Sequence, residues 1–277
     1  MHSIALDQPG QKLLDIARLR IQLTYLWRHG RMPNLDDPVR FTELVQMRKL
    51  FDRDSRMVVL SDKIAAKAAV ADLLGAEWTV PTLWQGDVLP ASSPLSEPAM
   101  LKARHGCNQY RAIRTAPTCN EWAGLRKLTD KWTAEPYGFW LDECCYRDVP
   151  RGLLAEKMIG GDTLPVDYKI YVFGGVATHV QVHQDRAGDH RWILHDRDYR
   201  QLVPSNAEGP KRPRSLNAML EAAETLARGF SFARVDFYEV DRTPLFGEFC
   251  FYPGSGLDPF AADWVDEELG RLWLGSL

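Results

Sequence analysis

The sequence lacks the features of a membrane-spanning or secreted protein. No apolar run approaches the ~20 residues that a membrane helix needs, and residues 1–10 contain no basic segment followed by an apolar stretch. Cysteine is scarce: the five residues are odd in number and none of them form a CxxC pair, which argues against a disulfide framework and a zinc ribbon. We therefore predict a cytoplasmic protein without a transmembrane segment.

An excess of charge of one sign is also missing. Lys plus Arg number 34 and Asp plus Glu 37, which gives a net charge of −3. Such a chain has no overall positive field to attract nucleic acid, so we predict no nucleic-acid partner, and any bound anion must meet a local cluster of cations. The chain is rich in apolar residues: 45% of its residues are hydrophobic, which is enough to fill the core of a globular protein.

Helical patterns dominate the first quarter of the chain. Apolar residues recur at helical spacing over residues 11–27, 38–51 and 62–74, where Ser61 is the predicted cap and Gly75 ends the pattern. We therefore predict a helical N-terminal segment over residues 1–75, leading into a second unit over residues 76–277.

The second unit mixes strand and helix patterns. Helical spacing covers residues 120–132 and 215–228, with Ser215 as the predicted cap. Strand patterns cover residues 78–84, 100–102, 153–159, 168–173, 177–183, 233–240 and 245–251. The predicted fold class is α+β.

The last hairpin carries the most informative polar residues. Alternation along a strand places Arg234 and Asp236 on one face, and we expect Glu248 on the neighbouring strand to face the same space. Two carboxylates shared with phosphate oxygens are a usual way to hold Mg²⁺. A cross-strand network in which Arg234 neutralises Asp236 would give the same pattern, and hairpin geometry alone leaves both interpretations open.

A lysine at the end of a short apolar strand is a candidate phosphate ligand. Lys102 precedes a loop over residues 103–109 that contains a single glycine, so its ammonium group could meet a phosphate beside this loop. The alternative is a lysine at a strand end that reaches solvent, which is common for a lone lysine.

Taken in order, several segments resemble the ATP-grasp superfamily and, within it, the TupA-like family named for teichuronopeptide biosynthesis. The resemblance spans most of the chain, and the final pair of motifs is the specific one. The matching segments are Pro33 to Phe41 with Glu43, Ser61-Asp62-Lys63, Val80-Pro81, Leu101-Lys102, Ala155 to Ile159, Asp167-Tyr168-Lys169, Arg234 to Tyr238, and Phe246 to Gly256.

The resemblance implies two α+β subdomains that sandwich ATP, preceded by the helical segment. It places phosphates near lysines, adenine at the strand-end hinge that includes Glu156, and Mg²⁺ on the last hairpin. In this sequence the implied nucleotide-binding residues are Lys63, Lys102, Glu156, Lys157, Ile159, Asp167 and Lys169, and the implied metal ligands are Asp236 and Glu248. Arg234, Lys169 and Arg186 are the implied catalytic cations. One departure is Cys250, which stands where the superfamily commonly has Asn.

Lys102 and Lys169 are expected to point into one cleft. Two ammonium groups that face each other without an anion repel, so we expect local destabilisation of the site until ATP binds.

The implied function is a carbon–nitrogen ligase. ATP and Mg²⁺ would activate a carboxylate as an acyl phosphate, which an amine then attacks. The family name points to an amino acid or peptide attached to an acidic surface polysaccharide or its precursor, with peripheral association with the polysaccharide assembly machinery. The alternatives are a kinase that forms a phosphate ester and a non-catalytic nucleotide-binding partner.

Overall fold

The computed structural model of the chain describes residues 8–161, 164–184, 191–204 and 209–277. Within these residues no helix is both long and apolar enough to cross a bilayer. The five cysteines are free thiols. The predicted catalytic residue Arg186 lies outside the described residues.

The N-terminal segment is helical, as the sequence predicts, with four helices where three are predicted. They are α1 (Gln8–His29), α2 (Phe41–Phe51), α3 (Ser55–Ser61) and α4 (Lys63–Leu74). The short helix α3 was not predicted. As a result the cap of α4 is Asp62, whose side chain accepts a hydrogen bond from the amide of Ile64, and the prediction of Ser61 as cap is wrong.

The smaller sheet has four antiparallel strands and one covering helix. Its strands are β1 (Thr82–Gly86), β2 (Ala99–Ala103), β3 (Tyr110–Ile113) and β4 (Leu153–Lys157), in the order β1-β4-β2-β3. Helix α5 (Cys119–Ala134) packs its apolar side against this sheet, and the side chains of Trp122 and Trp132 fill the core between them.

The larger sheet has five antiparallel strands and holds the main core. The strands are β5 (Asp167–Phe173), β6 (Val176–Gln184), β7 (Arg191–Asp196), β8 (Phe232–Val240) and β9 (Thr243–Cys250), in the order β7-β6-β5-β8-β9. Helices α6 (Leu216–Leu226) and α7 (Asp263–Leu274) complete the fold. The core of this sheet also contains apolar residues of α2, α3 and α4, so the N-terminal helices pack on the larger sheet.

The β8–β9 hairpin sets the register on which the site depends. Asp241 and Arg242 form its two-residue turn with φ angles of 50° and 68°, the left-handed conformation that a tight hairpin turn with a strand-like twist requires. The pairing aligns Arg234 with Cys250 and Asp236 with Glu248, and the register then shifts beside Gly247. The predicted α+β class is confirmed, and its strands form two antiparallel sheets.

Candidate functional site

One face of the larger sheet carries a buried network of charges. The register pairs Lys169 on β5 with Asp236 on β8. The ammonium nitrogen of Lys169 lies 2.5 Å from Oδ2 of Asp236 and 2.7 Å from Oδ2 of Asp167. Arg234 donates from Nε to Oδ1 of Asp236 at 2.7 Å. All four side chains are buried, so two cations and two carboxylates compensate each other away from bulk water.

The pKa shifts in this network follow from that pairing. Burial raises the pKa of Asp236, but the charges of Arg234 and Lys169 outweigh it and hold the pKa at about 2. Burial likewise lowers the pKa of Lys169, yet Asp167 and Asp236 raise it above its usual value. Asp236 is therefore an anion, and Lys169 a cation, throughout the neutral pH range.

Glu248 lies directly across the hairpin from Asp236, as the alternation predicts. Its side chain is half-buried and lines a small cleft together with Lys63 and Tyr146. Within the described part of the chain, the Glu248 carboxylate makes no hydrogen bond or ion pair. The predicted neutralisation of Asp236 by Arg234 is also present, so the hairpin carries both the charge network and a carboxylate that is still able to accept a ligand.

These residues fit Mg²⁺ as its ligands. Asp236 and Glu248 offer hard carboxylate oxygens from adjacent strands, and Mg²⁺ commonly takes one or two carboxylates together with phosphate oxygens. Across the described residues, no group of three or more His, Cys, Asp or Glu side chains could hold a metal ion, so a bound ion would also need oxygens from the nucleotide or water. Cys250 is buried, and burial raises the pKa of its thiol, so it offers no thiolate.

A second charged cluster lies on the smaller sheet. Lys102 on β2 and Glu156 on β4 share a face because of the register of these strands, and Nζ of Lys102 lies 2.6 Å from Oε2 of Glu156. Nζ of Lys67 on α4 lies 2.7 Å from the other carboxylate oxygen. Burial raises the pKa of Glu156, but Lys102 and Lys67 together lower it below its usual value. Glu156 is therefore held by two cations from different elements.

Lys67 was missed by the sequence analysis. Besides Glu156 it donates to the carbonyl oxygen of Val80 and to Oγ1 of Thr82, so it ties α4 to the start of β1. Its spacing from Lys63 was a usable signal, because residues four apart lie on the same face of a helix.

The end of β4 forms one wall of a cleft between the two sheets. The cleft measures about 610 Å³ including its open mouth. The smaller sheet contributes Met100, Lys102 and residues 156–159 to its lining, and the larger sheet contributes Tyr238. The predicted hinge residues Glu156, Lys157 and Ile159 are therefore together at one cleft.

Backbone donors at this hinge are only partly used. The amide of Lys157 donates to the carbonyl oxygen of Pro81 at 2.9 Å, and that of Met158 donates to Pro98 at 3.1 Å. The amide of Ile159 has no acceptor among the residues that the structure describes. The Lys157 side chain is exposed, and its Nζ lies 3.6 Å from Oε2 of Glu97.

Lys63 lies at the start of α4, next to the loop after β2. Its Nζ lies 2.5 Å from the carbonyl oxygen of Gly106, and Arg104 of the same loop forms an ion pair with Asp62. These contacts hold the predicted phosphate loop against the N-terminus of α4.

The comparisons with known proteins give one match to a protein family. A model of the family described as TupA-like ATP-grasp matches residues 43–274. The comparison with curated proteins found no match. Among solved structures, the D-alanine–D-alanine ligase from Bacillus anthracis complexed with ATP is 14% identical with a TM-score of 0.48, and the alignment covers 79% of this chain and 66% of that one.

Two further ligase structures show similar levels of likeness. The L-amino acid ligase from Bacillus licheniformis is 15% identical with a TM-score of 0.44, over 77% of this chain and 48% of that one. The D-Ala:D-Ser ligase from Enterococcus faecalis is 12% identical with a TM-score of 0.47, over 78% of this chain and 61% of that one. This chain thus spans two thirds or less of the length of these three proteins. Because the family model covers most of the sequence, the chain belongs to the TupA-like ATP-grasp family.

Proposed function

We propose that this protein is a Mg-ATP-dependent ligase that joins a carboxylate to an amine through an acyl phosphate. The observation that carries the proposal is that each sheet presents a charged cluster and that the two clusters interact electrostatically through Lys102. Lys102 and Glu156 come from the smaller sheet, while Asp236 and Glu248 come from the larger one.

The electrostatics of Lys102 support a single site formed by both sheets. Burial lowers the pKa of Lys102, but Glu156 and, across the cleft, Glu248 and Asp167 raise it above its usual value. The ammonium group of Lys102 is therefore within electrostatic reach of the carboxylates of the larger sheet. A polyphosphate bound between the sheets would meet cations from one side and a carboxylate-bound metal from the other.

Each part of the site has a role in this proposal. The backbone of Lys157 and Ile159 holds adenine at the hinge. Lys63, Lys102 and Lys169 orient the phosphates, and Asp167 and Asp236 hold Lys169 in position. Asp236 and Glu248 hold Mg²⁺, which supplies charge neutralisation when bound.

In the proposed reaction a negatively charged substrate carboxylate must approach the negatively charged γ-phosphate of ATP. An oxygen of the substrate carboxylate attacks the γ-phosphorus, and the bond from that phosphorus to the leaving ADP oxygen breaks. The amine then forms a bond to the acyl carbon, phosphate leaves with the former bonding pair, and the nitrogen loses a proton. Arg234, whose pKa the adjacent Asp236 raises well above its usual value against the effect of burial, remains a cation beside the transferring group.

The substrate pair follows from the family alone. We propose a carboxylate on an acidic surface polysaccharide or its precursor, an amino acid or peptide as the amine, action in the cytoplasm, and peripheral association with the polysaccharide assembly machinery. These assignments go with the ligase proposal and fall if the reaction is not a ligation.

The deciding experiment identifies the products. ADP release is measured with Mg²⁺ over uronic acids paired with amino acids, and mass spectrometry identifies what forms. A ligase gives ADP, phosphate and an amide, and needs both acid and amine. A stable phosphate ester formed without an amine would overturn the proposal in favour of a kinase, and absence of Mg-ATP binding by calorimetry would overturn any nucleotide-dependent activity.

A further inference from the structure

Helix α1 has two apolar faces, and only one of them packs against the protein. Leu14, Ala17 and Ile21 lie on the inner face, where they pack on α2 and its surroundings. The outer face carries six large apolar side chains, all at least 39% exposed and Trp27 as much as 78% exposed. They are Leu13, Ile16, Leu19, Leu23, Leu26 and Trp27, here called the outer stripe. At 100° per residue, five of these side chains lie about 120° or more from Ile21 around the helix, and Leu13 lies about 80° from it.

The helix is fixed to the body of the protein, so the outer stripe points away from it. Arg20 forms an ion pair with Asp142, Nε to Oδ2 at 2.7 Å, and Nε of Arg28 donates to the carbonyl oxygen of Leu257 at 3.1 Å. The phenol of Tyr25, which is buried, lies 2.8 Å from Oγ1 of Thr42. Because these contacts hold the inner face, α1 cannot rotate to bury the stripe against its own chain.

The stripe is large for the surface of a monomer. With a fully exposed large apolar side chain taken as roughly 200 Å², the exposed area of the six side chains is on the order of 700 Å². The largest apolar patch of a typical monomer is about 300–600 Å². A standard interface buries about 800 Å² per partner, which the stripe approaches before its polar neighbours are counted.

The spacing within the stripe is that of a helix-pairing seam. Ile16, Leu19, Leu23 and Leu26 follow one another at intervals of three, four and three residues, the a/d pattern of two packed helices. The arginines Arg18, Arg20 and Arg28 of α1 are already paired within the chain, with Asp36 at 2.6 Å, with Asp142, and with Asp258 at 3.4 Å. Their charges are thus compensated, which disfavours an anionic lipid surface and favours an apolar partner.

We propose that the outer stripe binds the same stripe of a second copy of this chain, so that the protein forms a symmetric dimer through α1. A two-fold axis makes one self-complementary patch sufficient for a closed assembly. The helix precedes the residues that the family model matches, so this contact is separate from the ATP-grasp site and does not depend on the proposed reaction.

The first test measures molar mass by light scattering after size-exclusion chromatography at tens of micromolar protein. The native chain should give twice its 31.5 kDa mass. Leu23→Glu should give the monomer mass with unchanged far-UV circular dichroism, because two carboxylates would then be buried in the seam. The matched control is Leu73→Glu, which places the same charge at another exposed helical leucine and should stay dimeric.

A charge-pairing experiment tests the seam directly. A chain with Leu19→Glu and Leu23→Glu and another with Leu19→Lys and Leu23→Lys should each be monomeric, and an equimolar mixture should recover the dimer mass. A monomeric native chain would overturn the proposal, as would a Leu23→Glu variant that remains dimeric. Binding of the native chain, but not of Leu23→Glu, to vesicles of phosphatidylglycerol and phosphatidylcholine without dimerisation would assign the stripe to a membrane surface and would also overturn it.

Discussion

At the scale of single residues, the chain itself compensates the charges of its site. Lys169 contacts Asp167 and Asp236, and Lys102 contacts Glu156. The expected repulsion between the two lysines without ATP is therefore wrong as a description of the site, because each ammonium group already has a carboxylate partner. The phosphates of ATP would instead have to compete with these carboxylates for the ammonium groups. Replacing each lysine also leaves a different set of carboxylates without that ammonium group.

The first prediction compares Lys169→Met with Lys102→Met. Lys169→Met removes the cation that contacts the buried carboxylates of both Asp167 and Asp236, so the free energy of unfolding should fall by about 3–5 kcal/mol. Lys102→Met should cost less than about 2 kcal/mol, because Lys67 still pairs with Glu156. Urea denaturation of both variants in the absence of ATP measures the difference. Equal losses would contradict the assignment of Lys169 as the central cation of the buried network.

The second prediction concerns Glu248, the carboxylate without a partner in the described chain. Glu248→Gln keeps the shape of the side chain but removes the charge that would bind Mg²⁺, so stability should change little while Mg²⁺-dependent ADP release falls by at least about tenfold. Raising the Mg²⁺ concentration should recover part of the lost rate. Glu221→Gln, at an exposed position on α6, is the control and should leave the rate unchanged. Undiminished turnover in Glu248→Gln would remove Glu248 from the metal site.

At the scale of elements, local patterns predict the parts that carry their own signal. The β8–β9 hairpin was predictable because alternation and a short polar turn together determine which side chains share a face. Helix α7 was not predicted, although Val265, Leu269 and Trp273 recur at helical spacing. Strand β3 is short and mostly exposed, so it has no alternation to detect.

Local sequence patterns do not predict the contacts of the site between residues that are far apart in the chain. Lys169 contacts Asp236 because β5 pairs with β8, although β6, β7 and α6 lie between these two strands along the chain. Lys67 meets Glu156 because α4 docks beside β1, a packing contact without a local sequence signature. The family resemblance identified Lys169 and Glu156 but assigned no role to Lys67.

The third prediction concerns Lys67 as the residue that positions the hinge. Lys67→Met should weaken Mg-ATP binding several-fold, because the hydrogen bonds that connect Glu156 and the start of β1 to α4 are lost. Lys67→Arg should recover most of the affinity. Isothermal titration calorimetry measures the dissociation constant, and Lys131→Met on the exposed side of α5 is the control. If Lys67→Met bound Mg-ATP as the native protein does, these hydrogen bonds would serve stability alone.

The fourth prediction concerns the turn that follows β9. Lys49 donates to the carbonyl oxygen of Ser255 at 2.6 Å and to its Oγ at 2.7 Å, and Glu143 also contacts Ser255. Burial raises the pKa of Glu143 to about 7, although Lys49 opposes the shift. The folded protein then holds a proton that the unfolded chain loses near its ordinary pKa of about 4.3, so stability is lost as pH rises toward the folded pKa.

Denaturation at several pH values tests this sign. Between about pH 4.5 and pH 7 the free energy of unfolding of the native chain should fall relative to that of Glu143→Gln, which has no proton to lose. Burial lowers the pKa of Lys49 to about 8, so Lys49 acts only at higher pH and leaves this window to Glu143. Parallel pH profiles for the two proteins would show that Glu143 is ionised normally in the fold.

At the scale of the whole molecule, residues of both sheets line the cleft, and the two sheets have separate apolar cores. The smaller sheet with α5 has its own apolar core, and the larger sheet shares its core with α2, α3, α4, α6 and α7. A bound nucleotide would contact the smaller sheet at the hinge and both sheets at its phosphates. It would therefore link the stability of the two apolar cores. The boundary near residue 75 between a helical segment and the ATP-grasp unit stays a prediction, since helices on its N-terminal side contribute to the larger core.

The fifth prediction separates the hinge from the phosphate site by thermal shifts. Mg-ATP at about a hundred times its dissociation constant should stabilise the protein by about 2.7 kcal/mol and raise Tm by roughly 5 °C. Adenosine should occupy the hinge and give a smaller rise. In Lys102→Met the rise with Mg-ATP should shrink toward that of adenosine, because a phosphate contact is lost, while the rise with adenosine itself should stay unchanged. Met100→Arg, which places a bulky side chain in the cleft lining, should diminish both rises. A Lys102→Met protein whose Mg-ATP shift equals that of the native chain would show that the Lys102 ammonium group serves only its pair with Glu156.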